Sequence, residues 1–234
     1  METEALLVEY PAMSLIKHPY RLLVVGQSQS GKTTMTVKII RHLLPQVDEV
    51  YIVSPTYEFQ DTWKSIRSRV TLYHDSPDAL FKALYKVVKS SIGDENHKIG
   101  TKINKKRLLI CDDVSYEKAL NQGSKGDLNG FAYNAVWWNL SIITIVHKSS
   151  NIGAGMKENC DGLMIFNVMA KEIKPLFDTF GITATLAQFR QLIQQLIKNQ
   201  LQKDENSYPF LFFIPKSNKL YYKMQEQINL TFSE

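Results

Sequence analysis

The chain has 234 residues, 44% hydrophobic and 22% charged, with eleven glycines and eight prolines. That length fits one α/β domain, and the composition excludes fibrous, disordered and disulfide-stapled classes. The formal net charge of +5 comes mostly from lysine, with only six arginines. It permits polyanion binding through mobile, non-specific phosphate contacts rather than bidentate readout.

The N-terminus Met-Glu-Thr-Glu-Ala-Leu-Leu offers neither the basic region nor the apolar stretch of a signal peptide. The apolar runs at 163–170 and 210–214 fall far short of a membrane span. Cys111 and Cys160 sit in apolar contexts without metal-ligand spacing and read as buried thiols. The expectation is a soluble protein of a reducing compartment, with no membrane partner.

Residues 20–25 predict a buried strand ending at Gly26. Residues 33–44 carry Met35, Val37, Ile39, Ile40 and Leu43 at helical spacing, and Pro45 ends that helix. A strand is predicted at 49–53, a helix at 57–68 and a third strand at 70–73. Ser76-Pro77-Asp78 caps a helix running to about 90. Residues 91–106 read as an exposed loop, and 107–111 as an apolar strand ending in Asp112-Asp113. The polar stretch 115–130 reads as a loop, followed by helical spacing at 131–138 and strands at 141–146 and 162–168. An amphipathic helix is predicted at 182–201, and segments 208–214 and 219–223 flank a turn as a β-hairpin. Alternating strands and helices imply a mainly parallel sheet.

The string Gly26-Gln27-Ser28-Gln29-Ser30-Gly31-Lys32-Thr33 matches G-x-x-x-x-G-K-[ST] in full, between a strand and a helix as the motif requires. Gly26 and Gly31 let the backbone turn tightly and aim N–H groups at phosphate oxygens, and the helix start adds its positive end. Lys32 then reaches the β- and γ-phosphates, Thr33 offers a hydroxyl to Mg²⁺, and Thr34 continues the nucleotide site. The chain therefore reads as an ATP-binding P-loop enzyme.

Such a site needs a carboxylate near Mg²⁺ at the end of a second buried strand. Asp112 fits as a metal ligand, and Asp113 as the group that orients or deprotonates water. Two acids after a strand also occur as a helix N-cap pair. Glu117 is the alternative base. His147, closing the strand 141–146, is a candidate for contact with γ-phosphate or water, with Ser149 second.

Taken with Val50-Tyr51-Ile52-Val53-Ser54-Pro55-Thr56, these segments resemble the genome-packaging ATPases of the FtsK–HerA superfamily, of the poxvirus, large DNA virus, virophage and Polinton type. The resemblance covers about 21–168. It implies a RecA-like (ASCE) core at about 18–170 within a single domain spanning 1–234, with a C-terminal helix and hairpin at 171–234. It further implies a homo-oligomeric ring (hexamer or pentamer), ATP-driven movement of double-stranded DNA into a capsid, contact with capsid or portal vertex proteins, and residence in the virion or at a viral assembly site.

Two departures stand out. His147 occupies a position where the family commonly has glutamine. The stretch after Phe166-Asn167 lacks the arginine often found there, so a cation supplied to a neighbouring subunit could be Lys171, Lys174, Arg67 or Arg69. Lys118 and Lys125 are candidates for DNA contact. The alternatives are another P-loop enzyme, such as a helicase loader or small kinase, and a nucleotide-binding regulatory protein.

Overall fold

The structure, a computed structural model, describes residues 9–94, 104–113, 128–182, 184–201 and 208–228. Among these residues nine strands form one sheet in the order β3-β2-β4-β5-β1-β6-β7-β8-β9. They are β1 Arg21–Val25, β2 Glu49–Val53, β3 Leu72–His74, β4 Arg107–Asp112, β5 Leu140–Val146, β6 Gly162–Ile165, β7 Leu211–Ile214, β8 Lys219–Tyr222 and β9 Glu226–Ile228. The first six pair in parallel. The last three extend the sheet antiparallel from β6. The C-terminal hairpin therefore gains a third strand and belongs to the central sheet.

The parallel strands read as continuous apolar runs because both of their faces are covered. Alternate residues divide between two cores. Leu22, Val24, Val50, Ile52, Leu108 and Ile110 face one layer. That layer comprises helix α1 (Lys32–Leu43) and 3-10 turns at Pro11–Leu15 and Asp61–Arg69. Leu23, Val25, Tyr51, Val53, Leu109 and Cys111 face the other. There lie α2 (Pro77–Asp94), α3 (Leu128–Asn134), α4 (Ala154–Glu158), α5 (Ala170–Phe180) and α6 (Leu186–Leu201). Both cysteines are buried and free. No helix among the described residues is long and apolar enough to cross a membrane.

Several segments differ from the sequence expectation: the helix expected at 131–138 spans Leu128–Asn134, and the strand expected at 162–168 ends at Ile165. The helix expected at 57–68 is a 3-10 segment starting at Asp61. Its two buried residues, Trp63 and Ile66, are three apart, and a three-residue turn stacks such a pair on one side. The long helix expected from 182 starts only at Leu186, where Thr185 and the Gln188 side chain exchange cap hydrogen bonds. An unexpected helix, α5, contains Pro175. Burial of Ile173, Leu176 and Phe180 at helical spacing outweighs the backbone hydrogen bond that Pro175 removes. Strand β4 also extends one residue further than expected, so that Asp112 lies within it.

Candidate nucleotide site

Strand β5 lies between β1 and β4, so three adjacent parallel strands end side by side. Val25 pairs with Val146, and Asp112 with Ile145. The phosphate loop, the acidic pair and His147 thus emerge together at the carboxyl edge of the sheet, where ligands bind in folds of this class.

The loop is fastened at its start. Gly26 N–H donates to Val146 O at 3.2 Å, and Gln27 N–H to Asn167 O at 2.7 Å. A Cβ on Gly26 would come within 2.7 Å of Phe166 Cβ. Gly31 adopts φ 88°, the left-handed conformation that glycine tolerates, immediately before α1 begins at Lys32. The Ser30 hydroxyl donates to Gln27 O at 2.8 Å and closes the turn.

A cavity of about 150 Å³ opens beside this loop. Ser28, Gln29, Lys32 and Thr33 form one wall; Asp112, Asp113 and His147 form the other. Lys32 is buried, and its Nζ donates to Gln27 O at 2.6 Å. Burial pushes its ammonium down to about 8, against the opposing pull of Asp113 and Asp112. Asp112 is 2% exposed. Burial pushes its carboxyl up to about 6 and Asp113 adds to the rise, while the Ser54 hydroxyl and Lys32 act in the opposite direction. Asp113 adopts φ 50°, which turns it away from the strand direction, and its Oδ1 lies 2.9 Å from His147 Nε2.

Two residues join the site that the motifs did not single out. Ser54 is fully buried at the end of β2, and its hydroxyl donates to Asp112 Oδ2 at 3.0 Å. Gln60 lines the cavity, and its amide donates to Thr56 Oγ1 at 2.8 Å. Thr56 N–H in turn donates to Ser54 Oγ at 3.3 Å. The signal for this chain is the Ser-Pro-Thr segment itself. Its meaning depends on the pairing of β2 with β4, which sets Val53 beside Cys111.

The other candidates lie elsewhere. Ser149 is turned away, its N–H and hydroxyl both donating to the buried carboxylate of Glu172 at 3.0 Å. Arg67 donates to the carbonyls of Tyr57 and Glu58, and Arg69 to that of Leu44. Lys171 and Lys174 are exposed on α5, where Lys174 pairs with Asp178. None of these four cations lines the cavity. Glu117, Lys118 and Lys125 lie outside the described residues.

Among the described residues no group of three His, Cys, Asp or Glu side chains converges as a metal site. A cation beside Thr33 and Asp112 would take one hydroxyl and one carboxylate, with phosphate oxygens and water completing its shell. That is the donor set magnesium favours, and a buried carboxylate with a raised proton affinity has cause to accept it.

The model of the family described as poxvirus A32 protein matches residues 7–212, most of the chain. The chain belongs to the poxvirus A32 family. No curated protein sequence matches it significantly. Among solved structures, this A32-family chain is similar to the genome packaging NTPase B204 from Sulfolobus turreted icosahedral virus 2 in complex with sulfate. The identity is 14%, over 92% of this chain and 100% of that one, with a TM-score of 0.57. The same protein in complex with ATP-gammaS gives 16% identity, over 87% and 96% of the two chains, with a TM-score of 0.53. The pCW3 conjugation coupling protein TcpA gives 15% identity over 85% of this chain and 58% of that one, with a TM-score of 0.52. At such identities the likeness carries the fold, that of a P-loop NTPase with a largely parallel central sheet.

Proposed function

We propose that this A32-family chain is the ATP-hydrolysing motor that drives double-stranded DNA into a viral capsid. The observation that supports this most strongly is the convergence of Lys32, Thr33, Asp112, Asp113 and His147 on one cavity at the ends of β1, β4 and β5. A genome packaging NTPase shares the fold over nearly the whole of both chains.

The triphosphate lies along the backbone N–H groups of residues 26–33. Lys32 exchanges the Gln27 carbonyl for phosphate oxygens. Thr33 and Asp112 would hold Mg²⁺, which when bound would supply positive charge to the phosphates. Asp113 orients a water in line with the γ-phosphorus and accepts its proton. The water oxygen then bonds to phosphorus, the bond to the β-phosphate bridging oxygen breaks, and ADP and phosphate leave. His147 holds Asp113 in place through Nε2. Ser54 holds Asp112, and Gln60 lines the cavity beside them.

The described subunit places no arginine in this cavity. A cation from a neighbouring copy completes the site, which requires a head-to-tail ring. DNA is gripped through its phosphates without sequence preference, and the ring works at a capsid or portal vertex at the viral assembly site. The test is ATP hydrolysis with and without unrelated duplexes. Stimulation by every duplex, abolished in Lys32→Ala, is expected. Hydrolysis indifferent to DNA would count against a packaging motor.

A further inference from the structure

Gln60 reaches the catalytic cavity from the segment after β2, outside the three strands that carry the motifs. Residues 56–60 make one turn, in which the N–H groups of Phe59 and Gln60 both donate to Thr56 O at 3.1 Å. With helical spacing, the side chains of Thr56 and Gln60 lie on one side of that turn. Tyr57 fastens the other side. It is buried, stacks on Tyr73 with centroids 4.5 Å apart, and has the Arg67 guanidinium 5.4 Å over its ring.

A run of hydrogen bonds leads from this turn to Asp112. The Ser54 hydroxyl gives its proton to Asp112 Oδ2 at 3.0 Å, so Ser54 Oγ can only accept from its other neighbours. Thr56 Oγ1 lies 3.3 Å from Ser54 Oγ and is therefore the donor of that pair. Having given up its own proton, Thr56 Oγ1 accepts in turn, and the group that donates to it at 2.8 Å is the amide nitrogen of Gln60. Donors thus run in one direction, from Gln60 to Thr56 to Ser54 to Asp112. That direction fixes how the Gln60 amide stands. Its nitrogen is committed to Thr56, which leaves the carbonyl Oε1, an acceptor, for the cavity that Gln60 lines with Asp113 and His147. Phosphate oxygens are acceptors too and repel such a group, whereas a water proton satisfies it.

We propose that Gln60 is a further catalytic residue, whose Oε1 accepts a hydrogen bond from the attacking water while Asp113 takes that water's other proton, and that Thr56 positions the amide for this task. Water held by both of its protons presents a lone pair to the γ-phosphorus. The proton facing Gln60 stays on the oxygen that bonds to phosphorus, and the other moves to Asp113. The proposal rests on the hydrolase reading. It gives the Ser-Pro-Thr segment a second task, because the hydroxyls that brace Asp112 also brace the group that aims the water.

The test measures single-turnover hydrolysis and equilibrium binding of Mg²⁺-ATP, with duplex DNA present. The proteins are wild type, Gln60→Ala, Thr56→Val, Thr56→Ser and the double variant Gln60→Ala/Thr56→Val. Loss of the hydrogen bond to water should slow hydrolysis in Gln60→Ala roughly 5- to 150-fold and leave ATP affinity near that of wild type. Thr56→Val, which keeps the shape and removes the hydroxyl, should lose part of that rate, and Thr56→Ser should recover it. The double variant should be no slower than Gln60→Ala, because Thr56 acts on hydrolysis through Gln60. Unchanged hydrolysis in Gln60→Ala would overturn the proposal. Equal losses of rate and ATP affinity would also overturn it, making Gln60 a wall of the cavity. Additive losses in the double variant would remove Thr56 as the positioning residue. Should Gln60→Ala fail to fold, Thr56→Val and Thr56→Ser still decide, and equal rates in the two would sink the idea. Wild-type protein that binds ATP without hydrolysing it would overturn the hydrolase reading itself, and this proposal with it.

Discussion

His147 stands between Asp113 and the phosphate loop: its Nε2 lies 2.9 Å from Asp113 Oδ1, and its Nδ1 faces Gly26 O at 3.3 Å. The ring therefore joins the end of β5 to both the residue proposed to activate water and the first residue of the loop. Both neighbours are acceptors, and a ring nitrogen donates only when it carries a proton.

Asp113→Asn should keep nucleotide binding and lose hydrolysis on the order of 10²–10⁴-fold, the usual contribution of a general base. His147→Ala should lower kcat with little change in ATP affinity. His147→Gln, which restores an amide donor, should recover part of the loss. Single-turnover hydrolysis alongside equilibrium ATP binding separates the two effects. Normal hydrolysis by Asp113→Asn would shift the role of base to another carboxylate, with Glu117→Gln the next variant to measure.

Asp112 is held at a cost to the nucleotide-free protein. Its folded-state proton affinity is raised from 3.8 to about 6. Between those values the folded state binds more protons than the unfolded state, so stability falls as pH rises and the penalty is complete above about pH 6. Asp112→Asn should remove a penalty on the order of 2–3 kcal/mol and raise the nucleotide-free Tm by several degrees. It should also forfeit the added stability that Mg²⁺ and ATP give the wild type. Thermal unfolding with and without Mg²⁺-ATP measures both. A lower Tm for nucleotide-free Asp112→Asn would contradict this picture of the site.

The same carboxyl sets an acid limb. Asp112 must be ionised to hold a cation, so kcat/KM should fall below about pH 6, the value for the free enzyme. Ser54 donates to the ionised form. Ser54→Ala should therefore move the acid limb to higher pH while leaving the activity plateau within a few-fold of wild type. A pH profile of Ser54→Ala superimposable on the wild type would remove Ser54 from the site.

The phosphate loop, the acidic pair and the strand closed by His147 were legible because each is a local string at the end of an apolar run. The position of β5 between β1 and β4 is not written in its own residues, since nothing in them fixes its neighbours. Ser54 and Gln60 gain their roles from the alignment of β2 beside β4, and the contact of Tyr208 with Gly31 comes from the segment just before β7. Such contacts between distant segments leave no periodic trace. Helix α5 was hidden by Pro175, and β9, at three residues, is too short for alternation to register.

A ring predicts complementation. Hydrolysis per subunit should rise with protein concentration, and DNA should strengthen the rise by templating assembly. Lys32→Ala subunits mixed with subunits lacking the donated cation should recover activity, because one interface in the mixture keeps both halves. Arg67, Arg69, Lys171 and Lys174 are the variants to mix, each replaced by Ala. Specific activity that stays flat from dilute to concentrated protein would mean that the site is complete within one chain.

A packaging motor moves duplex DNA as it hydrolyses ATP. The most direct measurement is displacement of a third strand from a long duplex carrying a triplex at a defined distance from one end. With Mg²⁺-ATP the wild type should release the third strand after a lag that lengthens with that distance, whatever the duplex sequence. Lys32→Ala and Asp113→Asn should release none. Release without a distance-dependent lag, or wild-type protein that hydrolyses ATP on this DNA and leaves the triplex intact, would contradict a translocating motor.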